Sequence, residues 1–328
     1  MNTPLFERLH REGLISDLSL QRIQHRSGSG LFSVHRELKT ILYLGVLLLA
    51  GGLGILIYKN IDTIGHQIIL AAIALLCAGC FVYCEQKKLP FSTAKVPSPN
   101  PYFDYILLLG CLTLLTFITY LQVQYNAFGE QYGLATFIPM VILFFCAYYF
   151  DQLGVLSMAI VNLAAWVGIA ITPLNIFKAN DFTDAEVIFA GLILGVVLNV
   201  MAWFSRHMAI KAHFSFTYAN FGMHILFIAC LAGMFHFGNF YLLWLLPLAG
   251  AVFYFYKRAF AERSFYFLLM LALYGYIGIS YVVIRLLLLP ELDEGFIYLV
   301  LLYFIGSGFG MVTFLNTMNK KLKTHDRL

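Results

Sequence analysis

His224 is the residue best placed to do chemistry in this chain. It stands near the middle of an apolar run over 217–236, with Asn220 four residues before it. Asn199 sits at a similar depth in the preceding run, 186–204. Helical geometry brings residues i and i+4 onto one face, so Asn220 and His224 share a stripe. An imidazole there could titrate near neutral pH or hold a polar substrate. The alternative is that it hydrogen-bonds across helices and locks them together. Asn162 and Trp166 repeat the same spacing in the run 154–173. Asn162, Trp166, Asn199, Asn220 and His224 are therefore the candidate substrate-binding residues. A hairpin of the two central runs predicts one seam, with Asn199 beside Asn220 and His224 a turn further along.

Other chemistry is hard to find. Cys77, Cys80 and Cys84 line one face of the run 64–83, but thiolates in hydrocarbon need a metal and no histidine lies close in sequence. Packing is the simpler reading, and no metal site is assigned. The chain has no His-Glu-X-X-His, no Gly-X-Ser-X-Gly and no Gly-X4-Gly-Lys-Ser/Thr. The expectation is a protein that is not an enzyme and needs no cofactor.

The elements that position these residues follow from composition. Of 328 residues 61% are hydrophobic and 12% charged, with mean hydropathy +0.80. A soluble domain is about half apolar and a quarter charged. These proportions exclude a soluble enzyme, a disordered chain and a disulfide scaffold, and a net charge of +4 is too slight to argue for nucleic acid. Apolar runs of about 20 residues, each enough to span a bilayer, occur near 41–58, 64–83, 104–124, 133–150, 154–173, 186–204, 217–236, 240–256, 264–284 and 296–315. The fold class predicted is all-α: a polytopic transmembrane bundle of about ten spans. Strands of a membrane barrel would instead alternate over about ten residues.

Orientation follows from Lys and Arg. With both termini cytoplasmic, eighteen of them lie in inner segments and only Lys59, Lys178 and Arg285 in outer ones. Residues 1–38 read as a cytoplasmic helical hairpin with an SGSG tether at 27–30, residues 39–316 as the transmembrane domain, and 317–328 as a basic tail. Ser16 is the predicted cap of the second hairpin helix. Arg22 and Arg26 belong beside the anionic inner leaflet rather than on DNA. The connection 85–102, with Pro90, Pro97, Pro99 and Pro101, reads as extended linker. Asp104, Asp151 and Arg285 are expected at interfaces, within snorkelling reach of water.

Pro139 and Pro247 are predicted to kink spans four and eight. Tyrosines follow each nine positions on, at 148 and 256. Trp166-Val-Gly-Ile169 aligns with Tyr276-Ile-Gly-Ile279, and Phe103/Tyr105 with Phe216/Tyr218. These pairs suggest a parallel repeat of 64–173 and 186–284. Small residues at helix-contact spacing, Gly191 and Gly195 above all, suit close packing. Gly45, Gly51, Gly52 and Gly54 in span one and Gly306, Gly308 and Gly310 in span ten offer faces to a membrane-protein partner.

The opening Glu12-Gly-Leu-Ile-Ser16, then paired spans, resembles the bacterial membrane family called domain of unknown function 2157. So does Phe144 to Gly168, FFCAYYFDQLGVLSMAIVNLAAWVG. The resemblance covers roughly residues 8–173 and implies an integral protein of a bacterial cytoplasmic (inner) membrane, with no catalytic residue to carry over. The Gly-Asp-Tyr motif of some longer relatives is absent. Two functions fit: a permease-like role for a small or amphiphilic molecule, or a membrane scaffold or assembly subunit.

Overall fold

A computed structural model describes residues 10, 12, 15–19, 35–129, 132–171, 184–287 and 295–324 of the protein. Among these there are helices and no strands. Ten long helices follow in order: α1 His35–Ile64, α2 His66–Lys87, α3 Phe103–Tyr125, α4 Tyr132–Phe150, α5 Leu153–Ile171, α6 Ala185–His207, α7 Phe214–His236, α8 Tyr241–Ala261, α9 Phe265–Leu287 and α10 Gly295–Thr324. Seven of them, α2, α3, α4, α6, α7, α9 and α10, are long and apolar enough to cross a membrane. Shorter apolar stretches lie in α1 (Thr40–Ile55) and α5 (Leu153–Gly168). Helices suit this sequence because hydrocarbon offers no partner for backbone N–H and C=O groups, so each segment must satisfy its own.

Residues 1–61 and 62–328 form separate compact units. Most of the N-terminal hairpin, its tether, Lys178, the acidic stretch 291–294 and the last four residues lie outside the described residues. In the first unit, Ser16 Oγ accepts a hydrogen bond from the Ser19 N–H at 3.4 Å, the position of an N-cap.

The second unit is built from hairpins. Within α2–α5 the packed pairs are α2/α3, α3/α4, α3/α5 and α4/α5; within α6–α9 they are α6/α7, α7/α8, α7/α9 and α8/α9. The α4–α5 and α8–α9 connections are also the same turn. Asp151 and Arg263 both adopt positive φ, 58° and 51°. The next N–H in each case reaches back five residues, Gln152 to Ala147 O at 3.1 Å and Ser264 to Ala259 O at 2.9 Å. That is a Schellman ending. The same two residues then cap the following helix: Gln152 Oε1 accepts from the Val155 N–H at 2.7 Å, and Ser264 Oγ from the Phe267 N–H at 3.5 Å. Pro139 and Pro247 both lie inside continuous helices.

A glycine sets the close approach of α6 and α7. A Cβ on Gly195 of α6 would meet backbone atoms of Leu226 in α7 at 2.8 and 2.9 Å, so the two helices touch main chain to main chain there. The three α2 cysteines are buried. Cys77 Sγ donates to Gly110 O of α3 at 3.6 Å, and a Cβ on Gly110 would come within 2.9 Å of Cys80 Cβ. They pack a helix contact.

Candidate functional site

The expected single seam is divided into two by α7. Asn220 and His224 face α9. The Tyr266 hydroxyl donates to Asn220 Oδ1 at 2.7 Å. Its oxygen therefore accepts from His224 Nε2–H, also at 2.7 Å. Nδ1, left with its lone pair, accepts from the Tyr274 hydroxyl at 2.8 Å. The chain of bonds fixes one tautomer and leaves both imidazole nitrogens satisfied. Tyr266 and Tyr274 are eight residues apart on α9, two helical turns, so they bracket the ring from both sides.

Asn199 points the other way. Gly222, two residues from both Asn220 and His224 and hence nearly opposite them on α7, is its neighbour: a Cβ there would lie 2.6 Å from Asn199 Nδ2. The amide nitrogen donates to Gly195 O at 2.8 Å. The carbonyl oxygen is buried with no hydrogen-bond partner. Asn199 also lines a groove of about 460 Å³ between α6 and α8 with Leu226 of α7 against it. Trp203, one turn along α6, and Pro247, Gly250 and Tyr254 of α8 complete its walls. Asn162 and Trp166 belong to neither place: the Asn162 amide donates to Met158 O at 3.5 Å, and Trp166 lies against Phe137 with ring centroids 5.3 Å apart.

A third polar centre was not expected. The side chain of Asp151, predicted at an interface within reach of water, is only 2% exposed and pairs with that of Lys211, which is fully buried. Lys211 Nζ lies 3.1 Å from Asp151 Oδ2 and donates to Ala94 O at 3.3 Å. His213 Nε2 donates to Oδ1 at 2.6 Å, and the Val96 N–H to Oδ2 at 2.5 Å. The Lys211 N–H bonds Thr93 O at 2.7 Å. The proline-rich segment read as a linker is thus extended but docked. Its flank is held too: Lys88 bonds Glu85 and Tyr149, and these bonds, Glu85 first, raise the Lys88 ammonium above its ordinary pKa.

The second turn has its own pairing. Glu262 takes Arg206 at 2.9 Å and Arg258 at 2.8 Å, while Arg258 also reaches Ser215 Oγ at 3.0 Å. The α6–α7 connection is therefore gripped on two sides, by Asp151 through Lys211 and His213 and by Glu262 through Arg206. Spacing could not reveal this, because Asp151 and Lys211 are sixty positions apart.

Residues 7–156 match the family described as predicted membrane protein (DUF2157). The resemblance carried by Glu12–Ser16 and Phe144–Gly168 is to this family. No curated protein and no solved structure matches the chain. The DUF2157 segment ends inside α5. It includes Asp151 and the docked segment 88–102, while Lys211, His213, the α6–α8 groove and the His224 chain lie beyond it. The protein is accordingly a predicted membrane protein with several helices able to span a bilayer.

Proposed function

We propose that this is a ten-span protein of the bacterial cytoplasmic (inner) membrane, both termini inside, with a permease-like role toward an amphiphilic molecule taken up from the bilayer. The observation that carries the role is the α6–α8 groove. Its volume falls in the range of small-molecule sites, and its walls are apolar. The His224 chain is less suited to binding, since both imidazole nitrogens, both tyrosine hydroxyls and Asn220 Oδ1 already have partners. The eighteen-to-three distribution of Lys and Arg supports the orientation. The matched turns after α4 and α8 and the matched packing of α2–α5 and α6–α9 support the parallel repeat.

Two measurements test the reading. A membrane-impermeant thiol reagent added to intact cells should label Leu292→Cys and spare Lys95→Cys; equal labelling overturns the topology. Gentle extraction followed by mass spectrometry should find an amphiphile retained by the wild-type chain and lost on filling the groove with Gly250→Leu. A preparation that retains only other membrane proteins would instead favour a scaffold. That second reading rests on α10, whose most apolar stretch is not buried at all.

A further inference from the structure

We infer that the α6–α7 connection is a strained latch, which fastens the α6–α7 hairpin to the α2–α5 helices through Lys211 and opens as one unit with residues 91–96. The inference stands whether or not the α6–α8 groove holds an amphiphile. Its starting point is the backbone. Five non-glycine residues among those described have positive φ: Asn126, Asp151, Ala209, Lys211 and Arg263. Asparagine and aspartate visit that region readily, because a short polar side chain bonds locally there. Arg263 closes the helix end of α8. The other two, Ala209 at 54° and Lys211 at 48°, stand two positions apart in one short connection. Alanine has no polar group to offset the crowding of its Cβ. Such residues persist only where their surroundings hold them, and they gather at switching segments.

What holds this one is mostly the other bundle. Within the connection, Ser205 Oγ lies within donating distance of Ile210 O and Lys211 O, at 2.9 and 3.0 Å. Across the latch, the Lys211 N–H donates to Thr93 O at 2.7 Å. The ammonium lies 3.1 Å from Asp151 Oδ2, donates to Ala94 O and sits 5.2 Å from the Phe91 ring centroid. The Val96 N–H meets the same carboxylate. Taking two charges out of water cancels much of their attraction, so a buried pair fixes position more than it adds stability. A strained backbone held by such a pair has two states, docked with the strain kept or undocked with it released. Main chain meets main chain at Gly195 and Leu226, so α6 and α7 follow their shared tip.

Hydrogen–deuterium exchange of the full chain in nanodiscs tests the latch. The Val96 and Lys211 amides bond across it, so residues 91–96 and 208–215 should exchange at one common rate. That rate should exceed the rate in the interior of α7 around Met223, because local opening needs less than global unfolding. Ala209 is exposed, so changing it alters the backbone preference and little else. Ala209→Gly should slow exchange of both segments about two- to fivefold, the left-handed penalty of alanine less the chain entropy that glycine adds. Ala209→Val, β-branched and worse in that region, should speed both. The decisive readout is residues 91–96, more than a hundred positions from the substitution. A change confined to 208–215 would mean local fraying and overturn the shared latch. No change in either segment would overturn the strain, and exchange as slow as in the α7 interior would overturn the opening.

Discussion

Helices α7 and α10 can both cross a bilayer by length and composition, and the most apolar stretch of α10 exceeds that of α7 in hydropathy. Yet 61% of the most apolar stretch of α7 is buried, and none of that of α10. The difference lies in small and polar residues. α7 presents Gly222 to Asn199 and Gly233 to Trp244, and exchanges hydrogen bonds through Tyr218, Asn220 and His224 with α4 and α9. Gly306, Gly308 and Gly310 of α10 meet nothing within 4 Å. Its polar contacts with α9 run through Ser307 to Tyr276 and Tyr303 to Ser280, at 3.0 and 2.9 Å. In a membrane the lipid is as apolar as the protein interior, so hydropathy places a helix in the bilayer and packing chemistry places it in the bundle.

The comparison breaks first at the entry to α7. Lys211→Met leaves the buried Asp151 carboxylate with His213 and a backbone amide only, and should cost about 3–5 kcal/mol in detergent unfolding. The charge-free pair Lys211→Met with Asp151→Leu should recover much of that. A single substitution that unfolds like wild type would mean the pair does not anchor α7. Next, Gly195→Leu forces a side chain against Leu226 backbone and should cost about 1–3 kcal/mol; wild-type melting would contradict the main-chain contact of α6 and α7.

His224→Leu comes third, at about 1 kcal/mol, because the Tyr274 hydroxyl loses its acceptor and the Tyr266 oxygen the bond it accepts. His224→Gln, which can still donate and accept, should lie closer to wild type. If Gln is as harmful as Leu for activity while stability holds, the histidine works by titration instead. Smallest is Gly308→Leu in α10, expected within about 0.5 kcal/mol of wild type. A large loss there would show that α10 has a covered face in the assembled protein.

Helices were legible and their partners were not. Apolar runs near 104–124, 186–204 and 217–236 correspond to α3, α6 and α7, because length and hydropathy act locally. The Asn220–His224 stripe was also readable from spacing. Its completion by Tyr266 and Tyr274 was not, since tyrosines are common in this chain and only the α7–α9 packing selects these two. Asn199 is expected on the same seam because a hairpin of α6 and α7 leaves the rotation of each helix open; Gly195 and Gly222 set that rotation. The Asp151–Lys211 pair was missed for the opposite reason. A short connection next to a helix end looks exposed in sequence, and only the positive φ at Asp151 and the docked segment 88–102 bury it. The shared turn was hidden as well, because Asp151-Gln152 and Arg263-Ser264 have no residue in common and agree only in backbone geometry.

The Asp151–Lys211 pair also imposes an order on biosynthesis. When Asp151 leaves the ribosome, Lys211 is still sixty residues away, roughly 3–12 s at 5–20 residues per second. Throughout that interval the carboxylate has the Val96 N–H as a partner but no cation, and the carbonyls of Thr93 and Ala94 wait for the same residue. Helices α2–α5 are therefore synthesised before the partners of their polar end exist. That end closes only when the α6–α7 connection arrives, so a chain truncated before position 211 should be held by insertion chaperones or degraded rather than mature.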